Sequence, residues 1–184
     1  MTVDSTPTRY TTTAIVLHWL AVVLIVCAFP LGLYMADLPA SPERLKLFNY
    51  HKWIGITVLL LSIVRIVWAL SHRAPALPLS MSAMQQRIAH GLQYVLYALL
   101  FAIPLTGWLM SSAKGYQVVY LGMLPLPDLV GKDKELGEVL EEIHETLNWT
   151  LLFLFLLHSA AALKHHFLEH NGVLTSMAPW MARK

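Results

Sequence analysis

The chain is poor in charge. Only 13% of its 184 residues are Asp, Glu, Lys or Arg, while 57% are hydrophobic and the mean hydropathy is +0.56. A soluble domain carries about 25% charged residues and about 45–50% apolar ones, so this composition excludes an ordinary soluble domain and makes membrane lipid the first partner. Cysteine is nearly absent. With Cys27 alone, an intrachain disulfide and a thiolate-held iron–sulfur cluster are both excluded. Cys27 lies in an apolar run and reads as a small buried apolar side chain. The net charge is +2, with no basic block, which excludes a nucleic-acid partner. There is no internal repeat and no low-complexity tract.

Four apolar segments are long enough to span a bilayer, which takes about twenty residues. They run from Ala14 to Met35, Asn49 to Leu70, Ile88 to Ser112 and Ile143 to Phe167. Each is too long, and too little alternating, for a barrel strand. Pro30 and Pro104 fall inside the first and third, where proline kinks a membrane helix without ending it. The first segment is too long for a signal-peptide core and lacks a small-x-small cleavage site, so it reads as a retained span. The acidic run from Glu135 to Glu142 starts a helix leading into the fourth. The predicted fold is an all-α membrane protein, an up-down bundle of four helices forming a single domain over residues 1–184. Lys and Arg near the span ends divide almost evenly. Arg9, Arg73, Arg87, Lys164, Arg183 and Lys184 lie on one side, with Arg65 close by. Arg44, Lys46, Lys52, Lys114, Lys132 and Lys134 lie on the other. The orientation preferred here puts both termini inside.

Against this apolar background stand nine histidines. His144 and His158 lie fourteen residues apart on the fourth span, roughly 21 Å and nearly four whole turns, so they share a face. With both termini inside, His18 on the first span joins His158 at an inner level. His51 on the second joins His144 at an outer level. Two depth-matched imidazole pairs are what two stacked b haems need: a haem confined to electron transfer takes two axial nitrogens, and neutral imidazole supplies them. An intramembrane histidine is costly without a partner. The plainer alternative, a histidine bonded to a carbonyl or lying among head groups, stands for His51 and His144 more than for the deeper His158.

Other residues are open between two readings. Arg65 pairs with a haem propionate at the inner level or snorkels to the surface. His90 holds a propionate or quinone, or sits in the interface. His165, seven residues beyond His158, serves a quinone head group or proton exchange, or is interfacial. His72 and His170 look solvated. Trp19, Trp53, Trp68, Trp108 and Trp149 read as an aromatic belt. Gly32, Gly55 and Gly107 allow close approach of a helix or a flat macrocycle.

The chain resembles the prokaryotic cytochrome b561 family, including its superoxide oxidase type, from about residue 8 to 180. The likeness is carried by Ile15-Val16-Leu17-His18-Trp19-Leu20, by His51-Lys52-Trp53-Ile54-Gly55 with Arg65, and by Ala89-His90 with Pro104-Leu105-Thr106-Gly107-Trp108. It continues through Ile143-His144-Glu145-Thr146-Leu147, His158-Ser159-Ala160-Ala161-Ala162-Leu163 and His165-His166-Phe167, and into the tail from Asn171 to Pro179. The resemblance implies two haem b groups, one on His18 with His158 and one on His51 with His144, and quinone chemistry near His165. It also implies a place in the bacterial inner membrane. It departs at Gln93, where the family often has a second histidine after the one at His90.

The function expected is electron transfer between the quinone pool, ubiquinone above all, and a one-electron donor. In the superoxide version the anion is attracted by Lys46, Lys52, Lys114, Lys132 or Lys134. The alternative is a cytochrome b anchor subunit of a larger dehydrogenase or hydrogenase. A histidine-lined divalent-metal transporter is a third reading. It fits poorly, because transport ligands gather at one midplane level with carboxylates, and no Asp or Glu lies in a span core.

Overall fold

A computed structural model describes residues 9–182; Arg183 and Lys184 of the charge reading lie outside the described residues. Four long helices carry the fold: α1 (Thr12–Asp37), α2 (Pro42–Ser71), α3 (Ala83–Ala113) and α4 (Lys134–Phe167). All four are long and apolar enough to cross a membrane. Sequential neighbours pack on each other, α1 on α2, α2 on α3 and α3 on α4, as an up-down bundle requires.

The helices begin earlier than the apolar runs do, because capping groups start them. Thr11, Ser41, Ser82 and Asp133 each accept a backbone N–H of the first turn. At α3 the Ser82 and Gln85 side chains form a reciprocal capping box. Hydropathy detects only what is apolar, so it places the spans from Asn49, Ile88 and Ile143, after polar first turns; the helix expected from the acidic run at Glu135 is found, α4 beginning at Lys134. Pro30 and Pro104 sit inside α1 and α3 as expected.

The buried centre is a cluster of Val58, Leu99, Leu100, Ile103 and Leu151, with Leu24, Ile25, Ile54 and Leu147 packed around it. Ser62 is fully buried there; its hydroxyl lies 2.7 Å from the Val58 carbonyl oxygen and 3.4 Å from that of Leu100, tying α2 to α3. Much of the apolar side-chain surface faces outward, including Val23, Val26, Val64, Val67, Phe153 and Leu156. Lipid takes the place of water on that surface. The same fact corrects the expectation for Cys27, which is exposed: in a membrane bundle an apolar run covers both the inner and the outer face of a helix, so the run does not imply burial.

The segment between α3 and α4 holds structure that the sequence reading left as loop. Val119–Tyr120 pairs antiparallel with Leu124–Pro125. The chain turns through Leu121 (φ 53°) and Gly122 (φ 72°), with Met123 N–H donating to the Tyr120 carbonyl, the signature of a type I′ hairpin turn. Tryptophans hold this hairpin and the tail in place. Trp53 donates its indole N–H to Val119 O (2.7 Å), Trp108 to Pro127 O (3.1 Å) and Trp19 to Met177 O (2.9 Å). These three indoles fasten loops as well as marking the interface. At the opposite end from the hairpin, the short helix α5 (Val173–Met177) folds back, and Tyr10 N–H donates to Ser176 O.

Replacing Trp53 by Phe keeps the ring and removes the donor. The variant should lose about 1 kcal/mol and show faster limited proteolysis within residues 121–123. An unchanged cleavage rate would mean that Trp53 does not hold the hairpin.

Candidate functional site

The bundle brings the four histidines together as two pairs. The His18 and His158 ring centres are 6.4 Å apart, with planes at 59°. Those of His51 and His144 are 6.3 Å apart, with planes at 81°. An ion bound by one imidazole nitrogen on each side, at about 2.0 Å per bond, sets the ring centres about 6.3 Å apart. Both pairs have this spacing. Among the described residues no three His, Cys, Asp or Glu side chains converge as a metal-binding group. The structure therefore offers pairs, where a tetrahedral zinc site would take three or four protein ligands.

The outer pair is held by one device used twice. His51 Nδ1 lies 3.1 Å from the Ala28 carbonyl oxygen on α1, and His144 Nδ1 lies 3.0 Å from that of Ile103 on α3. A carbonyl only accepts, so each Nδ1 carries the proton and each Nε2 keeps its lone pair. In both helices the residue four positions later is glycine, Gly32 and Gly107. The Cα–Cβ bond tilts toward the helix N-terminus, so a side chain there would stand over the carbonyl the histidine needs. A Cβ on Gly32 would lie 3.1 Å from His51 Cε1, and one on Gly107 3.0 Å from His144 Cε1. Thr106 Oγ1 lies 3.2 Å from His144 Nδ1, and Asn148 donates to the His144 carbonyl. Gly55 differs: nothing lies within 4 Å of a Cβ built there. It lines a narrow cleft that extends inward from the two rings, walled by Ile25, Val58, Leu99, Leu100 and Leu151, with Asn148 beside His144.

The inner pair is set differently. Arg65 Nη2 donates to His18 Nδ1 at 3.3 Å, and the guanidinium lies over the Tyr97 ring at 5.1 Å. Arg65 therefore turns into the bundle toward the histidines and does not snorkel away from them.

The remaining candidates are placed as follows. His90 is exposed on α3. His165 is mostly buried, with Nδ1 at 2.6 Å from Glu169 Oε2 and 3.0 Å from Asn171 Nδ2. Lys164 completes this cluster with a 2.7 Å bridge to Glu169. The Lys164 and His165 hydrogen bonds hold the Glu169 carboxyl below the ordinary carboxylate range. Gln93, at the departure from the family pattern, lies near the phenol of Tyr10, which desolvation pushes upward in pKa. His72 is exposed and stacked on Trp68 at 3.9 Å, and His170 is exposed. Four of the five outer lysines have partners within the chain: Lys46 with the Tyr50 ring, Lys52 with Tyr116 O, Lys114 with Glu141 and Lys134 with Glu138. The sequence reading missed the Ala28 and Ile103 carbonyls. Their only signal is a glycine one helical turn further on.

Two outcomes test this geometry. Gly107→Ala gains up to about 1 kcal/mol of helix propensity but forces the His144 ring to move, so it should be destabilising by about 1–3 kcal/mol in thermal unfolding. Gly91→Ala has open space at Cβ and should be neutral or stabilising; equal behaviour of the two would remove the steric argument. For Glu169 the folded pKa lies below the unfolded one. Its contribution is present above the unfolded pKa and lost as pH falls through the folded value. The Tm difference between wild type and Glu169→Gln should therefore be positive at neutral pH and vanish in acid; a difference that is constant with pH would contradict it.

Comparison with known proteins agrees with this arrangement. The family described as prokaryotic cytochrome b561 matches residues 9–180. "Cytochrome b561 homolog 2" of Escherichia coli (strain K12) is 30% identical over 178 residues, covering 96% of this chain and 95% of that protein. The "Probable superoxide oxidase CybB" of Yersinia pestis is 27% identical over 172 residues, covering 93% and 96%. "Cytochrome b561 homolog 1" of Escherichia coli (strain K12) is 27% identical over 172 residues, covering 93% and 97%. With four membrane-length helices and paired intramembrane histidines, the chain belongs to the prokaryotic cytochrome b561 family, multi-pass membrane electron-transfer proteins that bind b-type haem.

Proposed function

We propose that this protein holds two b haems and couples a one-electron donor, superoxide being the leading candidate, to the ubiquinone pool of the bacterial inner membrane, with both termini cytoplasmic. The observation that carries the reading is the 6.3–6.4 Å spacing of both imidazole pairs. His51 with His144 would hold the outer haem, and His18 with His158 the inner one. Each haem would supply a one-electron iron couple, and the paired histidines would be its protein ligands.

The chain's own residues have separate tasks. Ala28 and Ile103 fix the outer rings with Nε2 free. Leu99, Leu100 and Leu151 keep water from the space beside them. Arg65 is close enough to the inner pair to leave His18 for a propionate carboxylate. His165, bonded to Glu169, is assigned to proton exchange at the inner side. The balance requires such a group: two superoxide anions give two electrons and two O₂, and ubiquinone takes those electrons with two protons to become ubiquinol. The relative whose printed name is a probable superoxide oxidase supports this choice of donor.

The purified protein should contain two haems per chain, both low-spin, and His144→Ala and His158→Ala should each retain one. With ubiquinone present, a superoxide pulse should rapidly reduce the haems, seen as the rise of the ferrous b-type bands, and yield ubiquinol. No response to the pulse would remove superoxide and leave quinone-linked transfer from another donor. Loss of both haems in either variant would remove the pairing.

A further inference from the structure

We propose that Arg44 is the charge partner of the outer haem's propionates, as Arg65 is for the inner haem; this rests on the two-haem reading above. Residues 44, 51, 58 and 65 on α2 are Arg, His, Val and Arg. Steps of seven residues are close to two whole turns, so the four form one stripe on the helix. Val58 lies in the buried core between the two levels. Arg65 reaches the inner imidazoles from that stripe. Arg44 stands on it roughly 10 Å outward of His51.

The surroundings of the outer pair set which way an amphipathic macrocycle would lie there. Inward of His51 and His144 the cleft is lined by Ile25, Val58, Leu99, Leu100 and Leu151, and its polar side chain, Asn148, already donates to the His144 carbonyl. A carboxylate placed among these side chains would be buried unpaired, at a cost of several kcal/mol. The carboxylate edge therefore faces outward, toward the level of Arg44. There Lys52 already donates to Tyr116 O and Lys114 to Glu141. Arg44 is less committed. Its Nε is buried without a hydrogen-bond partner. Nη2 makes only a long contact, 3.4 Å, to the Ala36 carbonyl, and the guanidinium lies 5.4 Å from the Phe48 ring centre. A buried donor left unpaired costs about 1–3 kcal/mol, and a propionate supplies the missing acceptor. Arginine suits this place because its fork bonds a carboxylate through two nitrogens at once.

A cation beside the haem edge favours the reduced iron, so removing it lowers the midpoint potential. In a spectroelectrochemical titration of the full-length protein, Arg44→Gln should make one haem about tenfold harder to reduce, ~59 mV for a one-electron couple, and leave the other unmoved. Arg65→Gln should move the other haem instead. If Arg44→Gln leaves both haems at wild-type values, or moves the same one as Arg65→Gln, the proposal is overturned and Arg44 only anchors the end of α1. Should Arg44→Gln not accumulate as folded protein, Arg44→Lys decides by resonance Raman. It keeps the charge and loses the fork, so the propionate-bending bands of one haem should shift; bands identical to wild type overturn the proposal. Wild-type protein that binds no haem defeats the parent reading instead, and is seen in the absorption spectrum before any variant is made.

Discussion

The structure depends on how a polar ring is satisfied in hydrocarbon. An imidazole inside a bilayer must have a partner at each nitrogen or lose free energy. At the outer level the bundle supplies one partner from its own backbone, the carbonyls of Ala28 and Ile103. That single bond fixes the ring's rotation and its tautomer, and it leaves the second nitrogen as a lone pair facing the need for another partner. Two such rings 6.3 Å apart satisfy each other only through something between them. The glycines at 32 and 107 follow from this, because any side chain there would cover the carbonyl. The helix pairings follow as well: His51 leans on α1, and His144 on α3.

The two levels are not copies of one another. The outer rings are held by backbone, which cannot move without bending a helix. The inner His18 has Arg65 beside its Nδ1, a side chain with a charge and several rotamers that a propionate would draw off the ring. In the proposed function this is the end where electrons would leave to a quinone and protons would enter, which a charged, movable neighbour suits. The His165, Glu169, Lys164 and Asn171 cluster stands at that same end of α4. The opposite end is closed by the hairpin that Trp53 and Trp108 fasten. The protein is thus polar and adjustable at one face and fixed at the other.

Much of this was legible in the sequence, for identifiable reasons. Four long apolar runs give four helices because only a helix satisfies its own backbone in lipid. The histidine pairs were legible because helical rise converts sequence position into depth, so residues 144 and 158 had to lie on two levels. The starts of α2 and α3 were hidden because they depend on Ser41 and Ser82, single polar residues outside the apolar signal, whereas the acidic run at Glu135 marked the start of α4. Cys27 misled because apolar patterning loses its inside-outside meaning when lipid is the solvent. The carbonyl partners were hidden for a deeper reason: every residue has a carbonyl, and only the fold decides which one a ring can reach.

The central claim is that both imidazole pairs clamp iron. Electron paramagnetic resonance of the oxidised protein reads the axial ligands of each haem separately. The account predicts two low-spin ferric signals of equal weight and no high-spin signal. One low-spin signal with an equal high-spin one, or a single haem in all, would mean that at least one pair of rings 6.3–6.4 Å apart does not hold a metal.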